Sequence, residues 1–267
     1  MNRKEFLITL GAAILFTACS KADTDLGDDN EPEKVLFRFA IASDIHYGES
    51  NTNYSSHITN LKSNFQSFNK EYPCDFIVLN GDIIHNDPVF LQPCRNEIEG
   101  LHNKIYVTQG NHDRVSDQRW KEVWGCDMHY DVVIGDAAFI FGTTSDAIGS
   151  LKCPDLTITE SYLEKHKSKK HVFIFWHIHP HYADMGCTGV SELLSKYSNV
   201  RGVFNGHDHN DESIKTINNI PYIFNGRVAG SWGSFDRNFR VVEVTNKNIV
   251  TYLMTPVSKK RQTTIKL

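Results

Sequence analysis

The chain has 267 residues, of which 40% are hydrophobic and 22% charged, and a formal net charge of −4 at pH 7. That is enough apolar content to bury a sizeable core, and it excludes a disordered tail, a coiled coil and a disulfide miniprotein. The near-neutral balance argues against nucleic-acid binding, which needs clustered Lys and Arg. Histidine is over-used, with 13 residues against 10 tyrosines, and imidazole is the commonest metal ligand.

Arg3 and Lys4 precede the apolar run Phe6–Phe16, whose 11 residues are too few to cross a bilayer and suit a signal-peptide core. Thr17-Ala18-Cys19-Ser20 follows directly and resembles a bacterial lipoprotein cleavage site, with residues 1–18 removed and Cys19 lipidated. An ordinary secretory peptide with an incidental cysteine is the alternative. Asn2-Arg3-Lys4-Glu5-Phe6-Leu7 also resembles a twin-arginine export motif with Lys in the second Arg place. Residues 19–33 are polar and acidic and read as a flexible tether. The expectation is an exported bacterial lipoprotein on the periplasmic or cell-surface side of a membrane. Five cysteines remain, at 74, 94, 126, 153 and 187. The odd number leaves at least one thiol free, and no C-x-x-C pair marks a zinc site.

Residues 35–43 (VLFRFAIAS) alternate and then turn apolar, as a strand entering a core does. Ile58, Leu61, Phe65 and Phe68 recur at helical spacing within residues 55–72. Residues 75–80 (DFIVLN) form a second strand, 89–100 a helix and 104–109 (KIYVTQ) a third strand. Strand alternating with helix implies a parallel sheet with covering helices. Residues 130–134 and 137–141 flank Gly135-Asp136 as a hairpin. A helix over 159–167 capped by Thr159, a buried strand at 171–176 (HVFIFW) and a helix over 190–197 follow. From residue 200 the chain reads as short strands separated by Gly, Asn and Asp turns, and the whole body, 34–267, as one domain.

Each buried strand stops at metal-competent side chains. The five clusters are Asp44-Ile45-His46, Gly81-Asp82, Gly110-Asn111-His112-Asp113, His177, and Gly206-His207-Asp208-His209. In open α/β sheets ligands bind beyond the carboxyl ends of strands, so the five clusters converge on one crevice. Singly, each also reads as ordinary turn chemistry. Imidazole, carboxylate and one amide together suit Mn, Fe or Zn and not calcium, which takes oxygen almost alone.

D-x-H, G-D, G-N-H-D, a strand-end His and G-H-x-H, in that order from Phe37 to about Val244, resemble the calcineurin-like metallophosphoesterase superfamily. The resemblance implies an α/β fold in which a two-sheet β-sandwich is flanked by helices. It implies two transition-metal ions, one held by Asp44, His46, Asp82 and His209, the other by Asp82, Asn111, His177 and His207, with Asp82 bridging. It further implies hydrolysis of phosphomonoesters or diesters by a hydroxide bridging the metals, with His112 stabilising phosphoryl charge and protonating the leaving alcohol. The competing expectation is a lipoprotein of the same fold that binds metal or ligand without turnover.

Some positions depart from the family pattern. His85 stands three residues after Asp82, where purple acid phosphatases carry Tyr and Ser/Thr protein phosphatases Asp, so neither branch is expected. His85 is either a partner of the ligands or an unrelated loop residue. In His177-Ile178-His179-Pro180-His181 the ligand is His177, which directly follows the strand, with His179 as the fallback. Arg114 reads either as a phosphate contact or as a solvated side chain. Tyr47, Trp176, Tyr182 and Trp232 are candidates to stack a base or sugar, or to pack in the core or at the rim. The expected partners are a small phosphate ester and a membrane, with no nucleic acid.

Overall fold

Phe39 and Ile41 point to one side of the first strand, and Ala40 and Ala42 to the other. Both sets are fully buried, in separate clusters. A strand covered on both faces sits in an inner layer, and the sheets around it obey the same logic. The computed structural model describes residues 32–182, 185–256 and 258–266. The expected signal peptide, Cys19 and nearly all of the tether lie outside the described residues. In chain order the strands are β1 (Val35–Ala42), β2 (Phe76–Asn80), β3 (Ile105–Thr108), β4 (Tyr130–Ile134), β5 (Ala137–Phe141), β6 (His171–Phe175), β7 (Val200–Asn205), β8 (Ile214–Ile217), β9 (Ile220–Phe224), β10 (Phe239–Thr245), β11 (Asn248–Thr255) and β12 (Ser258–Lys266). The helices are α1 (Tyr54–Glu71), α2 (Leu91–Glu97), α3 (Asp117–Trp124), α4 (Leu156–Lys165) and α5 (Val190–Ser195).

The strands form two six-stranded sheets, ordered β12-β11-β10-β1-β2-β3 and β4-β5-β6-β7-β9-β8. β1, β2 and β3 run parallel, as do β5, β6, β7 and β9, while the remaining pairs are antiparallel. The inner faces meet in an aromatic core: Phe39 stacks on Phe76 with centroids 5.1 Å apart, and Phe39 meets Phe139, Phe173 and Phe204 edge-on across the sandwich. On the outer face of the first sheet, Ile58, Leu61, Phe65 and Phe68 of α1 pack on Ala40, Ile77 and Leu79. Each of these buried side chains contributes roughly 1.5–3 kcal/mol. Leu163 of α4 and Leu193 and Leu194 of α5 cover Val172 and Ile174 on the other sheet. The layers are therefore helix, sheet, sheet, helix, the two-sheet sandwich expected above. Arg240, fully buried on β10, donates to Asn225 Oδ1 (3.2 Å), Thr251 Oγ1 (3.0 Å) and the Glu212 carbonyl (3.1 Å), tying the sheets together close to the site.

The expected strands all form, but the helices differ in detail. Residues 88–90 are a 3₁₀ turn before the short α2, because Asp87 caps Val89 N and Pro88 fixes the first turn. α4 begins earlier than expected: Asp155, not Thr159, caps it by accepting from Ile158 N at 2.9 Å. α3, capped by Ser116 and closed by left-handed Gly125, and the charged edge strand β12 lie outside the sequence reading.

Candidate metal centre

The parallel strands deliver their carboxyl ends to one side of the sandwich, and the backbone then turns sharply. Asp44 (φ 57°), His46 (47°), Asp82 (49°) and His207 (69°) all occupy the left-handed region. That conformation is strained for non-glycine residues, at about 1–3 kcal/mol each, and such strain gathers at functional sites. The turns also need room: a Cβ on Gly206 would lie 2.6 Å from Asp44 Oδ2 and 3.0 Å from His177 Nδ1.

Three groups of ligand-competent atoms result among the described residues, the atoms of each within 4.8 Å of one another: Asp44/His46/His209 and Asp82/His177/His207, which carry carboxylates, and the all-imidazole group His46/His85/His112. Asp44 Oδ1 lies 3.1 Å from His209 Nε2 and 3.8 Å from His177 Nε2. Asp82 Oδ2 lies 3.1 Å from His177 Nε2 and 3.9 Å from His46 Nε2, so it stands between the two carboxylate-bearing groups. The Asn111 Oδ1 atom is buried and makes no hydrogen bond.

The proton inventory shows why these groups suit cations. His177 Nδ1 is 2.7 Å from the Asn80 carbonyl, and His209 Nδ1 is 3.1 Å from the Trp232 carbonyl. A carbonyl only accepts, so each ring donates from Nδ1, and its Nε2 in the neutral tautomer is a bare lone pair aimed at a carboxylate. His209 Nε2 also faces His46 Nε2 at 3.2 Å. Converging lone pairs repel unless a cation lies among them, and fixing the Nδ1–H is the usual way to aim a ligating imidazole. The titration directions show how strongly the two carboxylates draw positive charge to these positions. Burial is the largest influence and would raise Asp44 and Asp82, but His177 together with His209 at Asp44, and together with His46 and His112 at Asp82, brings both below the usual carboxylate range. Burial would depress His177, yet the Asp82 and Asp44 charges raise it to about 10. Burial dominates at His46, lowered to about 3, and at His207, lowered to about 4.

A model of the calcineurin-like phosphoesterase family matches residues 37–211, well over half of the chain. The chain belongs to the calcineurin-like phosphoesterase family. A comparison with curated protein sequences finds no significant match. Among solved structures it is similar to a dimetal phosphatase from Danio rerio, at 16% identity and a TM-score of 0.69, covering 87% of this chain and 99% of that one. It is also similar to GAP50, the anchor in the inner membrane complex of Plasmodium, at 19% identity and TM-score 0.61 over 88% and 89% of the two chains. At these identities the likeness is one of fold.

In this phosphoesterase a cavity of about 250 Å³ opens over the two groups, and His112, Trp232 and Tyr182 are among its walls. His112 N donates to Asp82 Oδ1 at 2.7 Å, coupling the histidine's loop to the central carboxylate. His112 Nδ1 lies 3.0 Å from Asn86 Oδ1, and Asn86 N donates to the His112 carbonyl at 2.8 Å. Asp113 accepts from Ile84 N (2.9 Å) and Gly110 N (2.7 Å), stapling the two loops; burial, then Asp82, raises its carboxyl to about 7. His85 stacks on His112 (4.9 Å, 16°), and its Nδ1 is 3.2 Å from His46 Nδ1.

The structure brings Asp44, His46, Asp82, His177, His207 and His209 together, with His112 beside them. His179 is elsewhere: its ring packs on Tyr222 (4.8 Å) and Phe224 (5.0 Å) of the outer cluster, and His181 bonds Ser191 Oγ. Arg114 is exposed and lies against Gly149. Trp176 is core and Tyr47 packs on Tyr54 and Phe90, whereas Tyr182 and Trp232 face the cavity. Asn86, Glu49 and the loop carrying Trp232 escaped the sequence reading. The only signal for Asn86 was an Asn-Asp pair, which any turn displays.

Proposed function

We propose that this protein is an exported, lipid-anchored phosphoesterase that hydrolyses phosphomonoesters or diesters at a binuclear metal centre. The observation that carries it is the convergence of imidazole Nε2 atoms, aimed by their Nδ1–H bonds, and ionised carboxylates beneath an open cavity. Asp44, His46, Asp82 and His209 would hold one ion and Asp82, Asn111, His177 and His207 the other. Two bound transition-metal ions, Mn, Fe or Zn, would activate water and neutralise phosphoryl charge. The chain's own residues do the rest. Asp82 holds His112 at the cavity wall through the His112 N–H. Asn86 Oδ1 accepts from His112 Nδ1, so that in the imidazolium form the second N–H, on Nε2, is left for the cavity; that proton goes to the leaving alcohol oxygen and the ring is left neutral with its proton on Nδ1. Ser43 Oγ donates to Asp44, and His207 N donates to Asp44 Oδ2 at 3.1 Å, which fixes that carboxylate.

Export is supported by the Phe6–Phe16 run ahead of Cys19 and by the Cys153–Cys187 disulfide, a bond that persists in oxidising compartments. The fold also serves an anchor protein in Plasmodium, which makes binding without turnover the second reading. Purified protein supplied in turn with Mn, Fe or Zn separates them. Release of nitrophenol from mono- or bis-nitrophenyl phosphate, lost in a folded Asp82→Ala protein, supports the enzyme; metal uptake with no release supports the second reading.

A further inference from the structure

Trp232 is neither core nor stray surface. Its indole lies flat on the His209 ring, with centroids 4.4 Å apart and planes 8° from parallel, yet it remains 39% exposed. Its loop is fixed with unusual thoroughness. The buried Arg227 donates to the carbonyls of Ala229 (3.1 Å), Gly230 (3.1 Å), Gly233 (2.9 Å) and Phe235 (3.1 Å), which bracket Trp232 on both sides. Glu49 accepts from Ser231 N at 2.9 Å, and Asn210 Oδ1 from Ser234 N at 2.8 Å. A loop whose only task was to shield His209 would bury its indole. This one presents it, pre-organised, to the cavity.

Tyr182 is the second aromatic wall. It is also 39% exposed, and it stands edge-on to the His207 ring, 4.8 Å away at 82°. Its segment begins at the strand end that carries His177 and is pinned further on by the Cys153–Cys187 disulfide. The two exposed rings therefore flank ligands on either side of the centre, His209 and His207, and line one cavity of about 250 Å³. That volume admits a ring and a phosphate.

We infer that Trp232 and Tyr182 form an aromatic slot that selects phosphate esters whose alcohol half carries a planar ring, such as a nucleoside. With phosphate on the metal side, the ring of the alcohol lies where the exposed indole can stack, and stacking tolerates any planar base. This selectivity rests on the phosphoesterase reading, so binding is measured separately from turnover.

The test compares adenosine 5′-monophosphate with ring-free glycerol phosphate on metal-loaded wild type, Trp232→Ala and Tyr182→Ala, with bound metal counted in each. Each variant is expected to keep two ions and to lower the ratio of kcat/KM, nucleotide over glycerol ester, at least fivefold, the low end for one aromatic stack. A non-hydrolysable adenosine phosphonate is expected to quench tryptophan fluorescence in wild type and not in Trp232→Phe. Equal losses on both esters, an unchanged ratio, or no quench would overturn the slot. Wild type that turns over neither ester but shows the Trp232 quench would overturn the phosphoesterase reading and leave the slot supported.

Discussion

The side chain of Asn86 is the sharpest test of how His112 acts. Asn86 occupies the left-handed region (φ 64°), so alanine there would add backbone strain, whereas Asn86→Gly removes the amide without it. The Asn86 N–H to His112 carbonyl bond survives in that variant, and only the Nδ1 to Oδ1 contact of 3.0 Å is lost. One such hydrogen bond is worth about 0.5–1.5 kcal/mol, which is about two- to thirteen-fold in rate. The ceiling is set by His112→Ala, since a positioned general acid contributes about 10²–10⁴-fold. A nitrophenolate leaves without being protonated, whereas an alkoxide does not. Asn86→Gly should therefore lower kcat for an alkyl phosphate about tenfold more than for nitrophenyl phosphate, and Asn86→Asp should restore the ratio. A steady-state leaving-group series provides the assay, with thermal unfolding as the check on folding. An unchanged ratio in Asn86→Gly would refute the assignment of His112 Nε2 as the proton donor.

Other consequences are open to measurement. Removing the disulfide by Cys153→Ser frees a loop with a sequence separation of 34, and chain entropy puts the loss at about 3–4 kcal/mol, read from urea unfolding with and without reductant. Gly206→Ala forces a methyl against Ser43 and Asp44, so it should lower Tm by several degrees and weaken metal retention together. At Asp131 burial opposes ionisation, but the Lys165 and His166 bonds prevail and hold its carboxyl below the usual range. That stability is present at neutral pH and lost as the pH falls through the depressed value. Asp131→Asn should therefore flatten the acid limb of the urea midpoint, and a limb identical to wild type would contradict the assignment.

The convergence of the proposed ligands was legible because each pairs a metal-competent side chain with the end of an apolar strand, and chain order then indicates which strands meet. His177 could be chosen over His179 on the same ground: the apolar run stops at Trp176, and two residues later the chain has already turned toward Tyr222. Strands such as Phe39–Ala42, apolar on both faces, pointed to a parallel sheet with covering helices; the second sheet of the sandwich came from the family resemblance. Asn86 was harder because its value lies in one partner, His112, and nothing local marks it; Trp232 stood among four candidate aromatics, and only the fold sets it on His209 and beside His46. Arg227 reads as a surface cation until four carbonyls are found around it. β12 was missed because Ser258–Lys266 is rich in Lys and polar residues, a composition that protects an edge strand and hides its pattern. α3 was missed because only Trp120 is fully buried on it.

The central claim is two metal ions held by one carboxylate between two histidine groups. Elemental analysis of the purified chain after loading with Mn, Fe or Zn tests it most directly, with Asp82→Ala measured alongside. The account predicts two ions per chain in wild type and at most one in Asp82→Ala, with phosphate-ester hydrolysis confined to wild type. A wild-type chain that holds one ion or none under every metal, or an Asp82→Ala chain that still holds two, would contradict it.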